Sequence, residues 1–171
     1  WGIPYEGFAV TALYKGLIGK EESSLNFIHI AFTNQLLATW EEDDRRFHLR
    51  AAVYSYPSII STTGMVEAPA KPREYYFLKG QYQALGAYDA AAHLEEEFKG
   101  RFLTHDDPCM TEAAKGYVLQ ALANHLSGYP FCPKKICRLY NAHWQEEMLQ
   151  AQMGKGSGLC KKHQELFSNL V

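Results

Sequence analysis

An excess of charge of either sign is missing from this chain. Its Lys and Arg number 17 against 19 Asp and Glu, for a net charge of −2. That near-balance argues against the counterion-releasing grip by which basic domains hold nucleic acid, and against a polybasic membrane contact. Long apolar runs are missing too, since none approaches the roughly 20 residues needed to cross a bilayer. No signal-peptide pattern heads the chain, although it begins at Trp1 without an initiator Met, so further residues can precede it. Disorder is excluded by composition, because 47% of the residues are hydrophobic and 13% aromatic. Cysteines are few, 4 in all, and they cluster rather than spread. This distribution argues against a disulfide scaffold and for a reducing, cytoplasmic setting.

What the chain does have is a metal pattern between Gly128 and His163. The stretch Gly128-Tyr-Pro-Phe-Cys132-Pro-Lys-Lys-Ile-Cys137 is followed by a short helical segment and then Cys160-Lys-Lys-His163. Thiolates and imidazole are the ligands tetrahedral Zn²⁺ prefers, and a closed set of three Cys and one His has no open position for chemistry. Pro133 bends the chain there, and Lys134 and Lys135 offset thiolate charge. The competing interpretation is three unrelated buried thiols. Paired clusters carrying turn residues favour a structural zinc at Cys132, Cys137, Cys160 and His163. Cys109 stands apart, as an ordinary helix residue.

At 171 residues the chain can form one domain with a real core, burying roughly 70% of its unfolded surface. Phe8 to Ile18 reads as either a strand or a short helix. Asn26 to Thr33 is a β-branched and aromatic run of strand length, with His29 inside it as a satisfied core histidine. Glu41 to Arg46 is a solvated charged turn. Phe47 to Tyr54 reads as a strand moving from edge to core, and Ser58 to Thr63 as a further short strand. Beyond the prolines of Glu67–Pro72, apolar spacing predicts amphipathic helices over Arg73–Leu85 and Asp89–Lys99. His93 and Glu97 lie one turn apart on the second, as a surface pair. Asp107 and Pro108 open a long central helix and Gly128 closes it. Asn141 caps a helix through Gln152, Met153–Gly158 is a flexible link, and Cys160–Leu170 is a final helix. No internal repeat is present. The fold class is therefore a single α/β (α+β) domain: a small mixed sheet followed by helices, with a C-terminal zinc knuckle. Residues 1–66 are mainly strands, 72–128 helical and 129–171 zinc-stapled.

The order of helix, glycine, Cys-x4-Cys and terminal ligand pair resembles the archaemetzincins, a branch of the metzincin zinc peptidases. Their signature runs H-E-x-x-H-x-x-G-x-x-H-C-x4-C-x-M, with a later C-x-x-C. His125, Gly128, Cys132 and Cys137 fall on it with unbroken spacing. The last pair falls at Cys160 and His163, with the extra length absorbed in the glycine-rich link. Phe27–Thr33 and Leu49–Ser55 look like the family's opening strands. The chain is also similar to a group of mainly archaeal proteins described as metallopeptidases of unknown function.

The departures fall on the catalytic positions. Ala121 stands where the first zinc-binding His belongs, Leu122 in place of the general-base Glu, and Phe131 in place of the third His. Leu139 replaces the methionine of the Met-turn, and His163 the last cysteine. A metallopeptidase needs three protein ligands, a metal-bound water and a base to take its proton. One imidazole beside Ala, Leu and Phe supplies none of that set in full. The resemblance therefore implies a degenerate member that keeps its structural zinc and lacks the H-E-x-x-H route to proteolysis. Its inherited cleft would bind a peptide or a protein. The alternative is an active metal-dependent hydrolase with a rearranged site, using His125, His143 and a carboxylate, Glu146 first. Glu147, His29 and Tyr117 are further candidates. A zinc-stapled nucleic-acid module is disfavoured by the near-neutral charge.

Overall fold

The computed structural model describes residues 3–168. Strand β1 (Tyr5–Glu6) runs straight into helix α1 (Gly7–Lys15), and Glu6 makes the join. Its backbone stays extended while its carboxylate accepts the amide N–H groups of Phe8 (3.1 Å) and Ala9 (2.6 Å). An acidic cap at the positive end of the helix dipole thus settles the Phe8–Ile18 segment as helix. Trp1 lies outside the described residues.

Strands β2 (Ile30–Thr33), β3 (Leu37–Glu41), β4 (Arg46–Arg50), β5 (Ala52–Val53) and β6 (Ser58–Ser61) complete the β structure. They form two three-stranded sheets, ordered β1-β3-β4 and β2-β6-β5, where the sequence predicts one. Each sheet holds one parallel and one antiparallel pair. The extra sheet arises at Ala51, where the expected Phe47–Tyr54 strand breaks in two. The Ala51 carbonyl accepts the Ser61 N–H at 2.8 Å, drawing β5 onto β6 while β4 stays with β3. Of the Asn26–Thr33 run, only Ile30–Thr33 is strand. His29 is half-buried, its Nε2 2.9 Å from the Glu22 carbonyl and its ring edge-on to Tyr56.

The helices are α2 (Thr62–Glu67), α3 (Arg73–Ala84), α4 (Tyr88–Glu97), α5 (Met110–Ser127), α6 (Gln145–Met153) and α7 (Lys161–Ser168). The result is a mixed α+β single domain with a cysteine cluster towards its C-terminus. Helix α5 begins after the expected cap: the Asp107 carboxylate accepts the Cys109 N–H (2.8 Å), building a turn that precedes the helix. It ends at Gly128, whose φ of 72° is the left-handed cap that glycine favours. Helix α6 starts at Gln145 rather than near Asn141 because the intervening backbone is already committed. Ala70 N–H donates to His143 O (2.9 Å), and Gln145 N–H donates to Ala70 O (2.8 Å). The last helix is described to Ser168, so Asn169 and Leu170 of the expected helix lie outside the described residues.

Helix α5 packs against α2, α6, α7 and β6. The largest buried cluster joins Ala51, Ile60, Met65, Val66, Leu103 and Met148. A separate one, around Tyr75, Leu94, Phe98 and Phe102, belongs to the α3–α4 hairpin. Gln145, fully buried, ties three members of the largest cluster together. Its Nε2 donates to Met65 O (2.8 Å) and Val66 O (3.0 Å), and its Oε1 accepts the Leu103 N–H (3.2 Å). Among the described residues, no helix is long and apolar enough to cross a membrane.

Candidate metal centre and cleft

The Cys132–Cys137 turn is built by its own backbone. Cys137 N–H donates to Lys134 O (2.9 Å), and the Lys134 N–H points at Cys132 Sγ (3.5 Å). The glycine-rich link is anchored to this turn at its end, through Gly158 N–H to Ile136 O (3.2 Å) and Arg138 N–H to Gly158 O (3.0 Å). That pairing delivers Cys160 and the first turn of α7, where His163 N–H donates to Cys160 O (2.8 Å).

The result is a set of four donor atoms, on Cys132, Cys137, Cys160 and His163, all within 4.8 Å of one another. Cys132 Sγ and Cys160 Sγ are 3.9 Å apart. His163 Nδ1 lies 3.2 Å from Cys160 Sγ and 3.5 Å from Cys137 Sγ. A tetrahedron with metal–sulfur bonds of about 2.3 Å has edges of about 3.8 Å. These separations are those of ligands gathered round a single ion, and the residues could hold one.

The electrostatics are those of a site that must lose protons to take a metal. Burial pushes the Cys132 thiol up to about 11. The Cys160 thiol moves down: against the opposing effect of its burial, hydrogen bonds from the His163 backbone and the neighbouring sulfurs win. Burial, then Lys162 and Lys134, lower the His163 imidazole below its ordinary value, which keeps it in the neutral, ligating form.

A cleft of about 240 Å³ is lined in part by residues that flank the same loop. Tyr54, Tyr117, Gln120, Phe131, Tyr140 and His143 are among its walls. Tyr54 O–H donates to Gln120 Oε1, and Gln120 Nε2 donates to Tyr140 O at 3.1 Å. Burial raises the tyrosine hydroxyls of both Tyr54 and Tyr117, so they remain neutral donors.

Over residues 1–170 the sequence matches the family described as Probable metallopeptidase family (DUF6775). The chain belongs to that family. No curated protein and no solved structure matches it.

In this member of the family the catalytic candidates, unlike the metal ligands, are scattered. Ala121 is fully buried and Leu122 half-buried, while Phe131 stands in the cleft wall with its ring edge-on to Tyr54. His125 sits half-buried in the last turn of α5 and is not among the cleft walls. His143 is in the wall and exposed. Glu146 instead pairs with Arg101 at 2.7 Å. Glu147 takes Lys135 at 3.3 Å and accepts the His143 N–H at 3.4 Å. His125, His143 and Glu146 therefore do not converge. Among the described residues, the Cys3His group is the one set of three or more such donors close enough to share an ion. Cys109 is exposed and apart from it.

Two residues of the cleft escape the sequence reading. His48, on β4, lines it with Nε2 2.7 Å from the Asp44 carboxylate. A hydrogen bond from Arg46, with a further contribution from His48, holds that carboxyl below its ordinary value despite its partial desolvation. The pair becomes visible only once the charged turn is recognised as a hairpin between β3 and β4. Gln120 carried no signal at all: it is a polar residue on the buried stripe of α5, and its partners come from distant segments.

Proposed function

We propose that this chain is an archaemetzincin-like member of the family in which Cys132, Cys137, Cys160 and His163 hold a structural Zn²⁺. The observation that carries the reading is the closure of that donor set, with four protein ligands at tetrahedral spacing and no position left for water. Bound there, zinc would supply cross-linking of the loop to α7 and no hydrolytic step. The domain does not cleave peptides by the H-E-x-x-H route, because Ala121, Leu122 and Phe131 offer neither ligand nor base at the positions that chemistry needs. The cleft instead binds a peptide or protein segment against its aromatic walls and the exposed His143. Reduced thiols suit a cytoplasmic setting.

The second reading, a hydrolase with a rearranged site at His125, His143 and a carboxylate, draws on the family's description and on His143 in the cleft wall. The engagement of Glu146 by Arg101 weighs against it. Metal content by mass spectrometry, read beside a fluorogenic peptide-library assay, separates the two. One tightly held zinc per chain and no cleavage is the expected result. A second, exchangeable metal whose removal abolishes cleavage would overturn the proposal in favour of the hydrolase.

A further inference from the structure

The metal centre and the cleft are built on one stretch of backbone. Phe131, in the cleft wall, directly precedes Cys132, and Tyr140 to His143, also in the wall, follow Cys137 after two residues. The two arms are laced together by Cys132 N–H to Leu139 O (2.8 Å) and Tyr140 N–H to Cys137 O (2.8 Å). From Tyr140 the lacing continues along the cleft wall. Its carbonyl accepts from Gln120, and Gln120 accepts from Tyr54, whose ring also meets Phe131 edge-on. Gln120 is only 4% exposed, so water cannot readily replace a lost partner there.

Energetics decide how far removal of an ion would reach. Two of the four ligands, Cys132 and Cys137, are themselves buried members of the small cluster they form with Ala123 and Leu139. Neither the main core nor the α3–α4 cluster contains a ligand. Losing the ion therefore frees the loop that carries the cleft wall while the remaining clusters keep their own burial.

We infer that the ion bound by Cys132, Cys137, Cys160 and His163 positions the cleft, so that ligand binding there depends on a metal the ligand never touches. Gln120 is the positioning residue that carries the constraint from the metal loop to Tyr54. The inference rests on the proposed metal site and adds its regulation of the cleft.

Hydrogen exchange on the full chain tests it, with metal content measured in parallel. The zinc-loaded protein is compared with the same protein stripped by a chelator under reducing conditions, and again after Zn²⁺ is restored. The hydrogen-bonded amides of 131–143 should exchange at least about tenfold faster without the ion and recover with it, while those of α3 and α4 stay unchanged. Gln120→Leu should retain its zinc yet show faster exchange at Tyr140 and Ala142, in the turn that Gln120 holds through Tyr140 O, and a shifted Tyr54 ring resonance by NMR. Unchanged exchange at 139–143 after the metal has left overturns the inference and spares the metal site. So does a simultaneous loss of protection in α3 and α4, which would make the ion a global staple. Unchanged exchange in a zinc-retaining Gln120→Leu protein removes the relay. A chain that binds no zinc at all overturns the metal site itself, and the inference with it.

Discussion

At Gly64 there is no room for a side chain, because a Cβ would fall 2.2 Å from the Arg50 carbonyl oxygen and 3.0 Å from Ala51 Cα. The obstacle is backbone, so nothing nearby can rotate away. Alanine would gain about 1 kcal/mol in helix propensity, but overpacking of this kind costs about 1–3 kcal/mol and here must move the β4–β5 junction. Gly64→Ala should therefore destabilise the domain, with thermal unfolding reporting a melting point lower by about 2–4 °C per kcal/mol for a chain this size. The residues that could be read from sequence are those whose chemistry announces itself. Three cysteines and a histidine in paired clusters have few other uses, and the structure brings their donor atoms together. Gly64 and Gln120 gave no such notice, since a close approach or a buried amide is defined entirely by the segment that arrives opposite.

Among the elements, helices with clear apolar spacing and a glycine stop were legible: α3, α4 and the end of α5 fall where periodicity puts them. Strand β3 was not, because Leu36, Leu37, Ala38 and Thr39 are all buried and show no alternation. The start of α6 was misplaced for a different reason. Its backbone groups are spent on Ala70, a partner that no local pattern reveals. The close of α5 offers a test at this scale. Gly128 has φ of 72° with open space where a Cβ would go, so Gly128→Ala pays only the conformational penalty, about 1 kcal/mol. Gly128→Asn should recover part of it, since asparagine tolerates this region better. Chemical denaturation of the pair distinguishes this from any steric effect, which would rank Asn below Ala.

For the molecule as a whole, the single domain and its α+β class were legible, while the division into two sheets was not, because one residue, Ala51, passes the chain between them. The pH dependence of stability also belongs here. His163 in the fold takes up a proton less readily than in the unfolded chain, so stability falls as pH drops through about 6.5. The lowered Cys160 thiol acts in the same sense, adding stability as pH rises towards the ordinary thiol value of 9.0. Cys132, pushed up to about 11, reverses the sign above that: the unfolded thiol ionises while the folded one keeps its proton. The metal-free chain should thus be most stable near the ordinary thiol range, with melting points declining on both sides. The zinc-loaded chain should lack the Cys132 contribution to the alkaline decline, its thiols being ionised already.

The clasp at Gln145 has a consequence for how this chain can be cut and rejoined. Ala70 and Leu103 are both hydrogen-bonded to that one residue, so the excursion between them leaves and returns at a single foothold. With its own aromatic centre, the α3–α4 hairpin is a detachable annex. A short Gly-Ser splice could take its place while both metal loop and cleft stay standing.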